Sequence, residues 1–467
     1  MNKTLLFYVL MVLSFSGFTT ADLMAQDSYA LDFQVTGWSD TTVYLGYYYG
    51  ESTYIKDTAD VDQQGRFSFH GKESIPMGMY MLVLDKTKAF EFLIGKDQQF
   101  GLVTDTTNYV TQMKVTGDIN NKVYFENMIF NQSMNEKAQP WVTQVRDSLS
   151  SDDQKKQAQE ELQKLNEQVN DHLNEVSTTN RGTLIGDILK TQKKVDVPKD
   201  LDKDAKFQYY RSHFFDNMNL SNDAFLRLPD GLYRKKIEEY LDNLYLQTTD
   251  SLKRGIEHII TAAKSNPETY KYAVWNICIK YQTTKYVGQD GLFVHLYDTY
   301  FATGEMDFWA NESLKNNLKE RADQLRKSMT GQQAQNMIML DENLQRKSLY
   351  DIKNKYTVIY FYDPDCGHCK KETPKLNDFY KNTKYDVEVF AVSADTSMVK
   401  MKKYIKDNNL SWVSANGPRT VTPHYQKLYD ANTTPTIYLL DEKKKIIAKK
   451  LEAVRLEEFL DNYERAH

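Results

Sequence analysis

The sequence predicts a multidomain protein with an N-terminal all-β, sandwich-like domain, an α-helical middle domain and a C-terminal α/β domain. Three observations support this prediction. The chain has 467 residues, which is too long for a single hydrophobic core. Apolar residues recur with period two over residues 26–118 and with a helical period over residues 119–330. Over residues 331–467, strand-like and helix-like stretches alternate.

Composition and charge are typical of soluble globular material. Hydrophobic residues make up 41% of the chain and charged residues 26%, with a formal net charge of −5. The acidic balance, without a basic patch interleaved with aromatic residues, excludes nucleic acid as an expected partner.

Residues 1–25 are predicted to be a cleavable signal peptide. An apolar run up to Phe18 follows Lys3, and small residues stand at Ala21 and Ala25. A membrane anchor is the alternative, but the run is short for a bilayer span. No cysteine follows it directly, so we expect a periplasmic protein that is not a lipoprotein.

The β domain, residues 26–118, is predicted from short alternating segments separated by turn residues. Six such segments favour a small sandwich or barrel. No catalytic constellation is visible among them, so we interpret this domain as a binding or docking module. The segments are Leu31–Val35, Thr42–Tyr47, Arg66–His70, Tyr80–Leu84, Phe90–Ile94 and Phe100–Val103.

The helical domain, residues 119–330, is marked by helix-start signals. Ser151 and Gln154 match a capping box, and Asn266-Pro267 supplies an N-cap with a first-turn proline. Cys278 falls on the apolar face of the second helix and is predicted to be a core residue, with a regulatory thiol as the alternative.

The α/β domain, residues 331–467, is predicted from apolar runs that alternate with amphipathic stretches. Lys449 and Lys450 are expected to protect an exposed sheet edge. The predicted elements are the strands Asn336–Leu340, Thr357–Tyr362, Val387–Val392, Thr436–Asp441 and Ile446–Ala448, helices over Ser397–Asn408, Tyr425–Tyr429 and from Arg455, and a loop at Gly417-Pro418.

The strongest functional signal is the pair Cys366 and Cys369 between a buried strand and a helix start. Unpaired N–H groups and the helix dipole at that end stabilise a thiolate, so Cys366 is predicted to attack a disulfide. Cys369, almost one turn further on the same face, is predicted to resolve the mixed disulfide. A protonated His368 should add to the thiolate's stability.

Two structural interpretations of the cysteine pair are less favoured. A zinc site needs two more ligands at metal spacing, and the sequence offers only Cys278 and scattered histidines, so no metal and no cofactor are expected. A structural disulfide across so short a loop would remove little chain entropy.

These residues resemble a thioredoxin-fold protein of the TlpA-like group of exported thiol:disulfide oxidoreductases. The resemblance covers about the last 140 residues and rests on the aromatic strand, Cys-x-x-Cys, Pro374 and the Thr434-Pro435 step. It implies that Pro435 is cis and faces the dithiol, that the Thr434 backbone binds substrate, and that Glu372 is the acid many exported members carry. More loosely, the earlier regions resemble the domains that precede thioredoxin domains in exported Bacteroidetes proteins.

Two departures from related families limit the resemblance. Thioredoxin has a buried acid at the position of Tyr360, so proton transfer to Cys369 needs another group, such as Glu372 or water. The peroxiredoxin motif would need proline and threonine or serine where this chain has Ile359 and Asp363, which disfavours peroxidase activity.

The function predicted from the sequence is therefore a periplasmic thiol:disulfide oxidoreductase, either reductase or isomerase. Its expected partners are exported proteins with disulfides or thiols and a redox donor protein at the membrane. The alternative is a non-catalytic scaffold whose front domains dock a partner. The pair Gly367-His368 resembles protein disulfide isomerase and favours an oxidising potential, whereas TlpA-like proteins mostly act as reductants.

Overall fold

The computed structural model describes residues 28–84, 86–282, 284 and 288–466. The predicted signal peptide lies outside them. The chain forms two compact units, one up to Lys193 and one from Lys194 onward. Among the described residues, no helix is both long enough and apolar enough to cross a bilayer. Two β sheets, a helical region and a C-terminal α/β sheet confirm the predicted fold class. The domain boundaries at residues 118 and 330 stay predictions.

Unit 1 begins with two four-stranded sheets, ordered β4-β1-β7-β8 and β3-β2-β5-β6. All six predicted segments lie in strands; β3 and β8 were missed, because most β3 side chains are exposed and polar and β8 has only three residues. Phe33 packs edge-to-face on Phe92, 5.3 Å between ring centroids, and so joins the two sheets in one core. The strands are β1 (Tyr29–Thr36), β2 (Thr41–Tyr49), β3 (Ser52–Val61), β4 (Arg66–Gly71), β5 (Gly78–Leu84), β6 (Thr87–Ile94), β7 (Gln99–Asp105) and β8 (Lys114–Thr116).

Three helices complete unit 1: α1 (Ile119–Arg146), α2 (Asp152–Thr179) and α3 (Leu184–Thr191). Asn121 ties α1 to the second sheet, because its side chain bonds both the N–H and the carbonyl of Leu93, each at 2.7 Å. The capping box predicted at Ser151 and Gln154 is confirmed at the start of α2.

Unit 2 begins with helices α4 (Lys203–Ser212), α5 (Leu232–Leu244), α6 (Thr249–Ala263), α7 (Pro267–Gln282), α8 (Asp290–Leu296) and α9 (Glu312–Arg326). Asn266 accepts from the N–H of Glu268 at 2.9 Å, which confirms the predicted cap of α7. Cys278 is fully buried in α7, as expected of a core residue, and burial raises the pKa of its thiol to about 12.

The rest of unit 2 is one seven-stranded sheet, ordered β10-β9-β13-β12-β11-β14-β15, flanked by helices. The central β11 is parallel to β12 and antiparallel to β14, and every residue of β11 is buried. The elements are β9 (Ile338–Leu340), β10 (Arg346–Ser348), β11 (Tyr356–Tyr362), α10 (Gly367–Asn382), β12 (Val387–Ser393), α11 (Met398–Asp407), β13 (Val413–Thr420), α12 (Tyr425–Leu428), β14 (Thr436–Leu440), β15 (Ile446–Lys449) and α13 (Leu456–Ala466).

Two local predictions in this part were wrong. Gly417-Pro418 lies inside β13 and not in a loop. A Cβ on Gly417 would stand 2.8 Å from the Tyr425 ring and 2.9 Å from the Ser393 carbonyl, so glycine permits this close approach.

The prediction that Lys449 protects an exposed edge is also wrong. Although β15 ends the sheet, the Lys449 side chain is only 2% exposed and pairs with Asp290 at the start of α8. Its ammonium also donates to the Ser328 carbonyl at 3.2 Å. The helical part of unit 2 therefore covers this strand through a buried ion pair.

We predict that Asp290→Ala lowers the free energy of unfolding of unit 2 by about 3–5 kcal/mol, because it leaves the Lys449 charge buried and unpaired. Urea unfolding followed by tryptophan fluorescence measures the change. The double variant Asp290→Leu, Lys449→Met should recover most of the loss, and Lys403→Met, which breaks an exposed pair with Asp407, should change little. Parental stability in Asp290→Ala would contradict this account.

Candidate active site

The dithiol lies where β11 ends and α10 begins. Cys366 is the N-cap of α10, and its sulfur accepts a hydrogen bond from the Cys369 N–H at 3.3 Å. The loop before it is braced by Asp363, whose carboxylate accepts from the Asp365 N–H at 2.8 Å. Because β11 is buried on both faces, the start of the helix is held in a fixed place at the carboxyl end of the central strand.

The two thiols have opposite environments. Partial burial works to raise the pKa of Cys366, but hydrogen bonds from Cys369, from the Thr434 side chain and from the His368 backbone outweigh it, so this pKa lies below that of an ordinary thiol. Cys369 is fully buried, and burial raises its pKa to about 12 even though the Asp363 N–H lies 3.5 Å from its sulfur. Both thiols are free.

The Thr434-Pro435 step lies beside this pair, where the family resemblance implies that it should be. The Thr434-Pro435 peptide bond is cis. When protonated, the Cys366 thiol donates to the Thr434 carbonyl at 3.4 Å. The structure thus brings Cys366, Cys369 and Thr434 together at one place.

The predicted supporting residues are placed differently. The His368 side chain is exposed, and its backbone N–H is the group of this residue that lowers the pKa of Cys366. Glu372 is buried, and its carboxylate accepts from the Ala453 N–H and pairs with Lys375 at 3.2 Å. Glu372 therefore ties α10 to the segment that follows β15.

A chain of hydroxyl groups that the sequence did not reveal lies behind Cys369. Tyr360 bonds Thr373 at 2.8 Å, Thr373 bonds Tyr404 at 2.7 Å, and the Tyr404 hydroxyl donates to the Cys369 carbonyl at 3.3 Å. Burial raises the pKa of Tyr404 to about 12 and that of Tyr360 further, so both stay neutral at physiological pH. Neutral hydroxyls thus stand where thioredoxin carries an acid.

An ion-pair network next to the cis-proline loop was also missed. Asp430 is 4% exposed and lies between Arg321 of α9, at 2.7 Å, and Lys450, at 2.8 Å. Gln324 of α9 also donates to the Gln426 carbonyl, at 2.8 Å, in the segment that precedes the cis-proline loop. No local pattern could reveal this network, since Arg321 and Asp430 are 109 residues apart in the chain.

Three carboxylates near the dithiol, those of Asp363, Asp365 and Asp395, approach one another within 4.8 Å. The Lys400 ammonium lies 2.6 Å from Asp365 and 3.2 Å from Asp395. The Lys400 ammonium offsets part of the negative charge of the three carboxylates. We therefore propose no metal ion at this cluster.

Three parts of the chain match known protein families. Residues 330–449 match the AhpC/TSA family. The C-terminal domain is thioredoxin-like and has thiol-disulfide oxidoreductases as its homologues. Residues 29–124 and 150–328 match two domains of unknown function, DUF4369 and DUF5106.

Two relatives and one solved structure illustrate the similarity of this thioredoxin-like domain. Thiol-disulfide oxidoreductase ResA of Bacillus cereus is 28% identical over 126 residues, 26% of this chain and 70% of that protein. ResA of Bacillus subtilis is 30% identical over 120 residues, 25% of this chain and 64% of that protein. A domain of a possible thiol-disulfide isomerase from Cytophaga hutchinsonii is 34% identical, with 30% of this chain and 95% of that one covered and a TM-score of 0.28.

We predict that iodoacetamide at neutral pH modifies Cys366 and spares Cys369 and Cys278 in the folded protein. A lowered pKa gives Cys366 a larger thiolate fraction at neutral pH than a free thiol has, whereas a pKa of about 12 keeps the other two protonated. Mass spectrometry across a pH series measures each rate. Modification of Cys366 with the pH midpoint of a free thiol would contradict the assignment, and denatured protein, in which all three should react, is the control.

Proposed function

We propose that this protein is a periplasmic thiol:disulfide oxidoreductase that reduces or isomerises disulfides in exported proteins through Cys366 and Cys369. The observation that carries the proposal is the asymmetry of the two thiols: one half-exposed with a lowered pKa, the other buried with a pKa of about 12. The first is suited to attack, and the second is protected from reacting with solvent reagents.

These two residues supply both electrons of the reaction. The Cys366 thiolate attacks one sulfur of a client disulfide, the client S–S bond breaks, and the departing client thiolate takes a proton. Cys369 then loses its proton to water and attacks the Cys366 sulfur, the bond between Cys366 and the client sulfur breaks, and the second client sulfur leaves as a thiolate that takes up a proton. The client gains two electrons, and the protein is left with a Cys366–Cys369 disulfide.

Thr434 and Pro435 are proposed to hold the client backbone during this exchange. The support is the position of the Thr434 carbonyl, 3.4 Å from the Cys366 sulfur. An extended client segment laid along this edge brings its disulfide to the nucleophile. The periplasmic location rests on the apolar run and small residues of positions 1–25.

We assign no carboxylate as the base that accepts the proton of Cys369. The Glu372 carboxylate is already held by the Ala453 N–H and Lys375, so we do not assign it the role of base. We propose that water takes the proton once the mixed disulfide has formed. The neutral hydroxyls of Tyr360, Thr373 and Tyr404 keep the surroundings of Cys369 polar without adding charge.

Cys366→Ser should abolish reduction of insulin disulfides, because no nucleophile remains at the helix start. Cys369→Ser should accumulate mixed disulfides with clients, since resolution is lost while attack persists. Turbidity of reduced insulin and non-reducing gels measure the two effects, with Cys278→Ser as the matched control that should behave like the parent. Full activity in Cys366→Ser would favour the non-catalytic scaffold instead.

The reduction potential of the pair should lie at roughly −180 to −240 mV, above the value of about −270 mV for thioredoxin. His368→Ala keeps the backbone N–H and removes the imidazole, whereas His368→Pro removes both. We expect the potential to fall in the proline variant, which loses the backbone N–H that lowers the pKa of Cys366, and to change little in the alanine variant, which keeps it. Equilibration with glutathione measures it, and unchanged potentials in both variants would refute the role given to His368.

A further inference from the structure

A cavity of about 890 Å³ opens beside the dithiol. His368 and Pro435 lie in its lining, so it adjoins the edge where the client is proposed to bind. Thr284 and Arg321, from the helical part of unit 2, also line it. The volume is in the range of pockets that bind drug-sized molecules, which leaves room for a short segment of a client.

Two of the three acidic side chains in the lining are neutralised within the protein. Asp430 is buried between Arg321 and Lys450, at 2.7 and 2.8 Å. Glu372 is buried against the Ala453 N–H. These carboxylates hold neighbouring segments in place and are not available to a bound ligand.

The basic side chains on the α10 side of the cavity are more accessible. His368, Lys371 and Lys375 stand at i, i+3 and i+7, so they share one face of α10, and all three are exposed. Lys371 forms no ion pair with any described residue, and Lys375 is 46% exposed with one contact to Glu372 at 3.2 Å. We call these three residues the basic stripe.

We propose that this cavity binds a client segment that carries an acidic side chain close to its reactive cysteine, and that Lys371 and Lys375 recognise the carboxylate. The proposal rests on the proposed function and adds a substrate class to it. Glu452 is the one exposed acid of the lining. On the basic stripe, Lys371 has no ion pair with a described residue, and the Lys375 ammonium has three N–H donors, of which its contact with Glu372 uses one. Attraction between opposite charges at a partly exposed site favours acidic clients without excluding others.

The test uses the full chain, reduced beforehand, and three symmetrical peptide disulfides. The peptides share one sequence and differ only in carrying aspartate, asparagine or lysine at two positions beside the cysteine. An acidic flank raises the pKa of the leaving thiol and so slows exchange by itself. The readout is therefore the ratio of the second-order rate constants with which the aspartate and lysine peptides oxidise the reduced protein, compared between the parent and variants.

Lys371→Glu should lower the ratio of the aspartate to the lysine peptide by about two- to fivefold, because it turns one attractive contact with the client carboxylate into a repulsive one. Lys381→Glu makes the same charge change on an exposed lysine of the last turn of α10, outside the cavity lining, and should leave the ratio as in the parent. High salt should bring the ratios of the parent and Lys371→Glu together, because exposed charges are screened.

The outcomes separate the two proposals. If the parent reduces none of the peptides, the proposed function is wrong and the cavity proposal falls with it. If the parent reduces all three peptides but Lys371→Glu has the same ratio as Lys381→Glu, the cavity proposal is overturned and the proposed function stands.

Discussion

The unsatisfied backbone N–H groups at the start of α10 are the constraint on which the site depends. A helix must find acceptors for its first N–H groups, and here the acceptor for the Cys369 N–H is the sulfur of Cys366. The capping residue is therefore also the proposed nucleophile, and the interaction that starts the helix lowers the pKa of its thiol. Three residues later the same helix carries Cys369 into the core, where desolvation dominates. One local geometry thus gives two cysteines opposite properties.

Buried charges hold the surroundings of the site in place. Lys449 and Asp290 join the last strand of the sheet to α8, and Asp430 joins the cis-proline loop to α9 through Arg321. Ions taken out of water need well-placed partners, so these contacts tolerate little displacement. The helical part of unit 2 consequently acts on the site: it fixes the loop that carries Thr434 and supplies part of the cavity wall.

Position 360, where thioredoxin has a buried acid, carries a tyrosine whose hydroxyl is hydrogen-bonded inside the protein. Tyr360 joins Thr373 and Tyr404 in a buried hydroxyl chain next to Cys369. A carboxylate at position 360 would be a second ionisable group in this low-dielectric space, and it would titrate together with the Cys369 thiol. Neutral hydroxyls avoid that coupling, and the pKa of Cys369 is set mainly by its burial.

By itself the sequence determined what depends on neighbours a few residues apart. The buried strand before Cys366 and the helix after it follow from periodicity. The caps at Ser151 and Asn266 follow from side chains that lie two or three residues from the groups that they bond. Those signals sufficed for the fold class and for choosing the dithiol. The strand β3 was missed because its side chains are mostly exposed and polar and show no clear apolar period.

The tertiary structure alone decided which distant groups meet. The sequence predicted Lys449 to be a protective surface lysine. Its side chain is instead buried and pairs with Asp290, which lies 159 residues away in the chain. The sequence predicted a loop at Gly417, but this residue lies inside β13, where the lack of a Cβ permits the close approach of Tyr425. The cavity beside the dithiol is lined by residues from Thr284 to Glu452. The physical reason is that desolvation and packing act between surfaces brought together by folding, whereas periodicity and capping act along a few residues of chain.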